Sequence, residues 1–232
     1  QERLQQQCEG LVVERHLHGV VTSDTETTKC SREDKTIFKG LSVGRLVETK
    51  GLKTLLLALK QLRDEGVNFQ WSVVGEGPQE AELKGYCLRQ GLDDKVVFRG
   101  ALEYEKVMRM YADHDAFVLP IQSAEDGDSD GLPNVILEAM AQGCTVVSTN
   151  CAAVSEALTD GHTALLVKAR DDYSLAKAIS RLISDPAKRL VLSQAARKSL
   201  IDNKLDRKHC HEKLLTSLNA VFGDASARKY CT

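Results

Sequence analysis

Residues 37–75 read IFKGLSVGRLVETKGLKTLLLALKQLRDEGVNFQWSVVG. Two short apolar runs, IFKGLSVG (37–44) and FQWSVVG (69–75), have the length and residue types of strands. Between them GLKTLLLALKQLRDEG (51–66) repeats its leucines at helical spacing. The alternation continues outward. It predicts helices over 78–90, 103–114, 132–142 and 152–159, and strands over 95–100, 116–120, 145–149 and 164–167. Parallel strands need a crossover of this length. Runs as apolar as WSVVG and AFVLP suit a sheet covered on both faces. The fold class expected is therefore α/β, a doubly wound parallel sheet. From residue 171 the pattern becomes wholly helical, over 171–184, 186–202 and 206–222, with Pro186 where a first turn begins. Residues 1–36 show no clear periodicity, and 223–232 read as a tail.

The totals set limits. A chain of 232 residues buries one good core, and 42% hydrophobic with 28% charged residues is ordinary for a globular domain. A net charge of −2 makes no electrostatic case for nucleic acid. No run of 18 apolar residues suggests a membrane span, and the start, QERLQQQCEG, lacks the blocks of a signal peptide. Seven cysteines without a C-x-x-C pair read as reduced residues. Cys87, Cys144 and Cys151 sit in or beside apolar segments, which suggests the cytoplasm. His209-Cys210-His211 has no second cluster to complete four ligands. Lys168–Lys213 holds 12 Lys/Arg against 6 Asp/Glu. That excess suits a solvated helix face, with peripheral contact to anionic lipid at the inner membrane face as the alternative.

The most chemically suggestive stretch is EDGDSDGLPNVILEAM, residues 125–140. Counted from Asp126, it matches a calcium loop at positions 1, 3, 5 and 6. Position 12 is Leu137, the carboxylate arrives one residue late at Glu138, Pro133 occupies position 8, and a strand precedes it where a helix should. A helix start accounts for the pattern better. Pro133 has the φ of a first helical residue and Gly143 sits at the C′ position. Free N–H groups at that start attract anions, although the acidic run alone is also compatible with a solvated loop.

Other groups fall on the same sheet edge. VGRLVETKG (43–51) places Arg45 and Lys50 on one short loop after Gly44, where a phosphate would meet both. It is neither a G-x-G-x-x-G nor a Walker loop. Gly75 and Gly77 follow the second strand, and Gly100 follows the third. They allow close approach of a backbone to a ligand or a plain tight turn. Together these loops form a plausible diphosphate cleft.

The series VGRLVETKGL, VVGEGP, VVFRG and DGLPNVILEAMAQGCTVVST resembles the donor-binding half of retaining GT-B glycosyltransferases. More narrowly, it resembles family 4 and, in its DGDSDGLPNV wording, bacterial exopolysaccharide and lipid-linked-sugar enzymes. The resemblance, over roughly residues 37–200, implies a Rossmann-like domain. It also implies a nucleoside-diphosphate sugar substrate, UDP- or GDP-linked, with no metal or other cofactor. Asp130 and Glu138 hold the family's E-x7-E spacing, with Asp in place of the first Glu. By resemblance Glu138 would bond the ribose hydroxyls and Asp130 a donor-sugar hydroxyl. Arg45 and Lys50 would grip the diphosphate. The backbone around Gly131, Leu132, Pro133 and Asn134 would lie near phosphate or sugar oxygens, and the loop from Arg99 through Gly100 to Leu102 would meet the base.

The resemblance further implies that residues 1–36 are the remnant of a link to an absent acceptor domain. Residues 37–222 would then be the nucleotide-sugar-binding domain and 223–232 the tail, and the isolated chain would not turn over. Three other readings remain. A sugar-nucleotide epimerase would need its carboxylates elsewhere. A nucleotide-sugar-binding subunit would have no activity of its own. The Asp-x-Asp triplets also occur in metal-dependent transferases of another fold, though there they follow an early strand.

Overall fold

The computed structural model describes residues 37–124, 131–203, 205, 212, 215 and 216. Outside those residues lie the segment 1–36, the acidic run through Asp130, His209-Cys210-His211, the tail 223–232 and most of the helix expected over 206–222.

Among the described residues six strands are β1 (Phe38–Val43), β2 (Phe69–Val74), β3 (Val96–Phe98), β4 (Ala116–Leu119), β5 (Thr145–Thr149) and β6 (Ala164–Val167). The helices among the described residues are α1 (Leu52–Asp64), α2 (Glu80–Arg89), α3 (Tyr104–Asp113), α4 (Asn134–Ala141), α5 (Ala152–Ser155), α6 (Asp172–Ser184) and α7 (Pro186–Asp202). All strand pairs are parallel, in the order β3-β2-β1-β4-β5-β6. This is the doubly wound, Rossmann-like sheet expected.

Two apolar cores explain why the central strands are hydrophobic throughout. One face packs the stripe of α1 (Leu52, Leu55, Leu56, Leu59 and Leu62) with Leu175 and Ile179 of α6 against the sheet. The other packs Val107 and Tyr111 of α3 with Ile136, Met140 and Leu200 against Leu41, Phe117 and Val146. All four residues of β4 are buried as a result. Each fully buried leucine contributes about 1.5–3 kcal/mol relative to its exposed state. Ser42 is tolerated in the middle of β1 because its Oγ donates to Val118 O (2.6 Å) and accepts from Trp71 Nε1 (3.1 Å). A buried hydroxyl so paired escapes the cost of a lost hydrogen bond.

Helix ends follow their caps. The Asp171 carboxylate accepts from Ser174 N (2.9 Å) at the start of α6. Bonds to Ser174 hold that carboxyl below its usual range. Asp185 caps α7 in the same way through Lys188 N (2.8 Å), with Pro186 at the first position as expected. Two expectations are corrected. The helix expected over 152–159 is a single turn, α5, because Thr163 Oγ1 accepts from Thr159 N–H and folds the chain back (2.8 Å). Pro133 is not the first residue of α4 but its N-cap, with an extended ψ of 132°. No helix among the described residues is long and apolar enough to cross a membrane.

Candidate functional site

Strand order reverses between β1 and β4. The chain leaving β1 turns to the face carrying α1, and the chain leaving β4 turns to the face carrying α4. In open α/β sheets such a reversal places the ligand crevice at the carboxyl ends of the strands on either side of it.

The β1 loop forms one wall. After Gly44 it runs through Arg45 into a turn of 3-10 helix, Glu48–Lys50, and reaches α1 at Gly51. Arg45 is exposed, and among the described residues no ion pair engages it. Lys50 is half-buried, and its methylenes lie 3.7 Å from where a Cβ on Gly44 would stand. Its stem therefore folds back over the end of β1. Gly51 is left-handed (φ 64°), and a Cβ there would meet Pro120 O at 1.9 Å. The β1 and β4 loops thus touch backbone to backbone, and Gln122 N–H donates to Thr49 O (2.9 Å).

The β2 and β3 loops brace this wall. Gly44 N–H donates to Val74 O (3.0 Å), Leu46 N–H to Glu76 O (2.9 Å) and Gly75 N–H to Gly100 O (2.8 Å). Ala101 N–H donates to the Glu76 carboxylate (3.2 Å). At Gly75 (φ 129°) a Cβ would fall 2.0 Å from Gly44 O. The structure gives Gly75 a use that the sequence did not suggest, the close packing of one loop on another.

The start of α4 forms the opposite wall. Gly131 is exposed, with open space where a Cβ would point, and Leu132 and Pro133 are half-buried. A proline N-cap carries no side-chain acceptor, so the exposed Asn134 opens the helix without one. The first N–H groups of a helix have no partner within it and carry the positive end of its dipole. One turn further on, half-buried Glu138 receives the Tyr111 hydroxyl at Oε2 (3.3 Å). That hydroxyl also lies 3.2 Å from Val135 O. The Tyr111 ring is completely buried, edge-on to Phe117 with centroids 5.5 Å apart. Burial, then the Glu138 charge, pushes the Tyr111 phenol well above its ordinary range. Asp130, the acidic partner expected eight residues before Glu138, lies outside the described residues.

Sequence reasoning missed two residues of this rim. Tyr111 has the i, i+4 spacing to Val107 that marks a core stripe. An aromatic with a polar tip in such a stripe signals a partner to be found. Arg170, at a left-handed φ of 62°, bonds Glu48 Oε1 (3.0 Å) and Ser123 O (2.9 Å). It links the loop after β6 to the loops after β1 and β4, and its contact with Glu48, 122 residues apart in sequence, is one that no local pattern reveals. The loop expected to meet a base divides. Gly100 stays at the edge, whereas Arg99 and Leu102 line a cavity of about 510 Å³ with Lys39, Gln70, Ser72 and His114. Lys39 and Gln70 sit at the amino ends of β1 and β2, so this cavity runs along the sheet face under α3.

A parallel sheet of this order, with a cation-bearing loop and a helix start at its carboxyl edge, defines a Rossmann-like module. The chain belongs to the family glycosyl transferases group 1, whose model matches residues 24–199. It is 36% identical over 148 residues to the colanic acid biosynthesis glycosyltransferase WcaL of Escherichia coli, an alignment covering 62% of this chain and 36% of that protein. It is 31% identical over 162 residues to the GDP-mannose-dependent alpha-(1-6)-phosphatidylinositol monomannoside mannosyltransferase of Mycolicibacterium smegmatis. That alignment covers 69% of this chain and 42% of the relative. The fold also matches a crystal structure of S. aureus TarM in complex with UDP, with a TM-score of 0.76 at 17% identity, covering 93% of this chain and 41% of that one. Its structural neighbours are GT-B glycosyltransferases. The matched part spans only 36–42% of the length of each of these three proteins.

Proposed function

We propose that this chain is the donor-binding half of a retaining glycosyltransferase. It holds a nucleoside-diphosphate sugar in the β1/β4 crevice, and the sugar passes to a glycan or lipid-linked acceptor held by another domain. The carrying observation is the pairing of the Arg45–Lys50 loop with the start of α4 across the strand-order reversal. Departure of a nucleoside diphosphate builds negative charge on its phosphates. Two cations and a helix dipole aimed at that charge stabilise it without a metal ion. Departure and attack on one face of the sugar, through an oxocarbenium-like state, would retain configuration. Glu138 takes the ribose hydroxyls, Asp130 a hydroxyl of the sugar, and backbone near Gly100 the base. Because the acceptor site would lie on a domain outside this chain, the chain alone binds donor but does not turn over.

Family membership supports a transferase. The relatives' names support the donor class, since one is GDP-mannose-dependent and TarM was solved with UDP. The test is a thermal-shift panel of UDP, GDP, ADP and calcium, with each nucleotide repeated in EDTA. A ligand specific to the folded state stabilises it by about 2.7 kcal/mol at a hundredfold excess over its Kd. The expected result is a shift with one nucleoside diphosphate that survives EDTA. A shift with calcium and none with any nucleotide would refute the proposal.

A further inference from the structure

We infer that Tyr111 is a positioning residue of the nucleotide site, holding the Glu138 carboxylate for the ribose from the buried side of α4. The inference rests on the ribose role proposed for Glu138. Glu138 sits on a helix whose first turn begins only four residues earlier, and a glutamate there has three side-chain torsions to settle. Two hydroxyls on adjacent ribose carbons need both carboxylate oxygens in a fixed plane. A carboxylate free to rotate loses that geometry and the entropy of fixing it falls on the ligand.

Tyr111 supplies the constraint. Its ring is completely buried between α3 and the sheet and fixed edge-on by Phe117. The hydroxyl therefore has a set position, and Oε2 of Glu138 lies 3.3 Å from it. Val135 O competes for the same proton at 3.2 Å. A tyrosine hydroxyl has a single proton to give, and a carboxylate accepts it more strongly than a neutral carbonyl. A Phe at this position would fill the core equally well. The hydroxyl thus adds a polar contact that packing does not require, directly against the acid proposed for the ribose. Burial raises the phenol above its ordinary range, so the hydroxyl remains a proton donor at neutral pH.

The test measures binding of UDP and GDP, each beside its 2′,3′-dideoxy counterpart, to the full 232-residue chain, to Tyr111→Phe and to Glu138→Ala. A ribose held by a charged acceptor favours the ribonucleotide by about tenfold. The expected result is that Glu138→Ala abolishes this preference and Tyr111→Phe reduces it by about threefold, with dideoxynucleotide affinity unchanged. Loss of only packing would weaken both nucleotides equally, and that outcome overturns the inference. So does a preference that Glu138→Ala removes and Tyr111→Phe keeps, which leaves the ribose role of Glu138 standing. A parent chain without any ribose preference, or a Glu138→Ala chain that retains it, refutes the ribose role itself and the inference with it.

Discussion

Replacing Gly51 with alanine tests the contact that joins the loops after β1 and β4. At φ 64° any residue with a Cβ pays the left-handed penalty, about 1–2 kcal/mol. The Cβ would also stand 1.9 Å from Pro120 O, a backbone atom that no rotamer change can move. Relief requires the β4 loop to shift, straining the Gln122 N–H bond to Thr49 O, and overpacking of this kind costs about 1–3 kcal/mol. The sum is about 2–5 kcal/mol. Gly66 is the control, because its φ is 75° and nothing lies within 4 Å of its added Cβ. Gly66→Ala should therefore cost only about 1–2 kcal/mol. Urea unfolding can follow the sole tryptophan, Trp71, which is 1% exposed in the folded chain. With a slope of about 1–3 kcal/mol/M, the Gly51 midpoint should fall below that of Gly66→Ala by about 1 M. Equal midpoints would mean that the loops do not touch at Gly51 and would refute the reasoning.

Two further outcomes are expected. Lys50→Ala should raise the Kd of UDP or GDP by about tenfold or more, the loss of one charge-assisted bond, while leaving uridine or guanosine binding unchanged. Calorimetric titration with both ligand classes checks this, and equal losses would remove Lys50 from the diphosphate. Burial pushes the Cys87 thiol up from its ordinary 9.0 to about 11. The unfolded chain thus releases this proton first as pH rises, so the contribution is intact below pH 9 and lost between pH 9 and 11. Urea midpoints taken from pH 8 to 10 should fall, and fall less in Cys87→Ala; an identical decline in both chains would show that Cys87 has no part in it.

The sheet was legible because its signal is local. β5 and β6 fall on the residues expected, Thr145–Thr149 and Ala164–Val167, since both are short apolar runs bounded by polar turns. Helix starts were less legible because a single backbone torsion decides them. The left-handed Gly51 moves the start of α1 to Leu52, and the extended Pro133 moves that of α4 to Asn134. The candidate site divides along the same line. Arg45, Lys50 and the start of α4 could be placed at one edge because strand ends fix where loops emerge. The partner of the Tyr111 hydroxyl could not be read, since Glu138 lies 27 residues away on another helix. Nor could the packing of Gly75 against Gly44, because a glycine near a ligand and one near another loop look the same in sequence.

The position of β1 in the middle of the sheet has a consequence for how the chain is made. Its first partner, β2, follows within one helix, but its second does not: Ser42 bonds Val118, 76 residues downstream. At synthesis rates of about 5–20 residues per second, the second edge of β1 waits roughly 4–15 s for β4. During that interval the nascent chain presents the open, apolar edge of what will become its central strand, a template for pairing with another chain. Emergence of Ala116–Leu119 closes it. A stalled or truncated product ending before that point keeps the edge open and should aggregate more than one ending after α7, which retains the helices that cover both faces of the sheet.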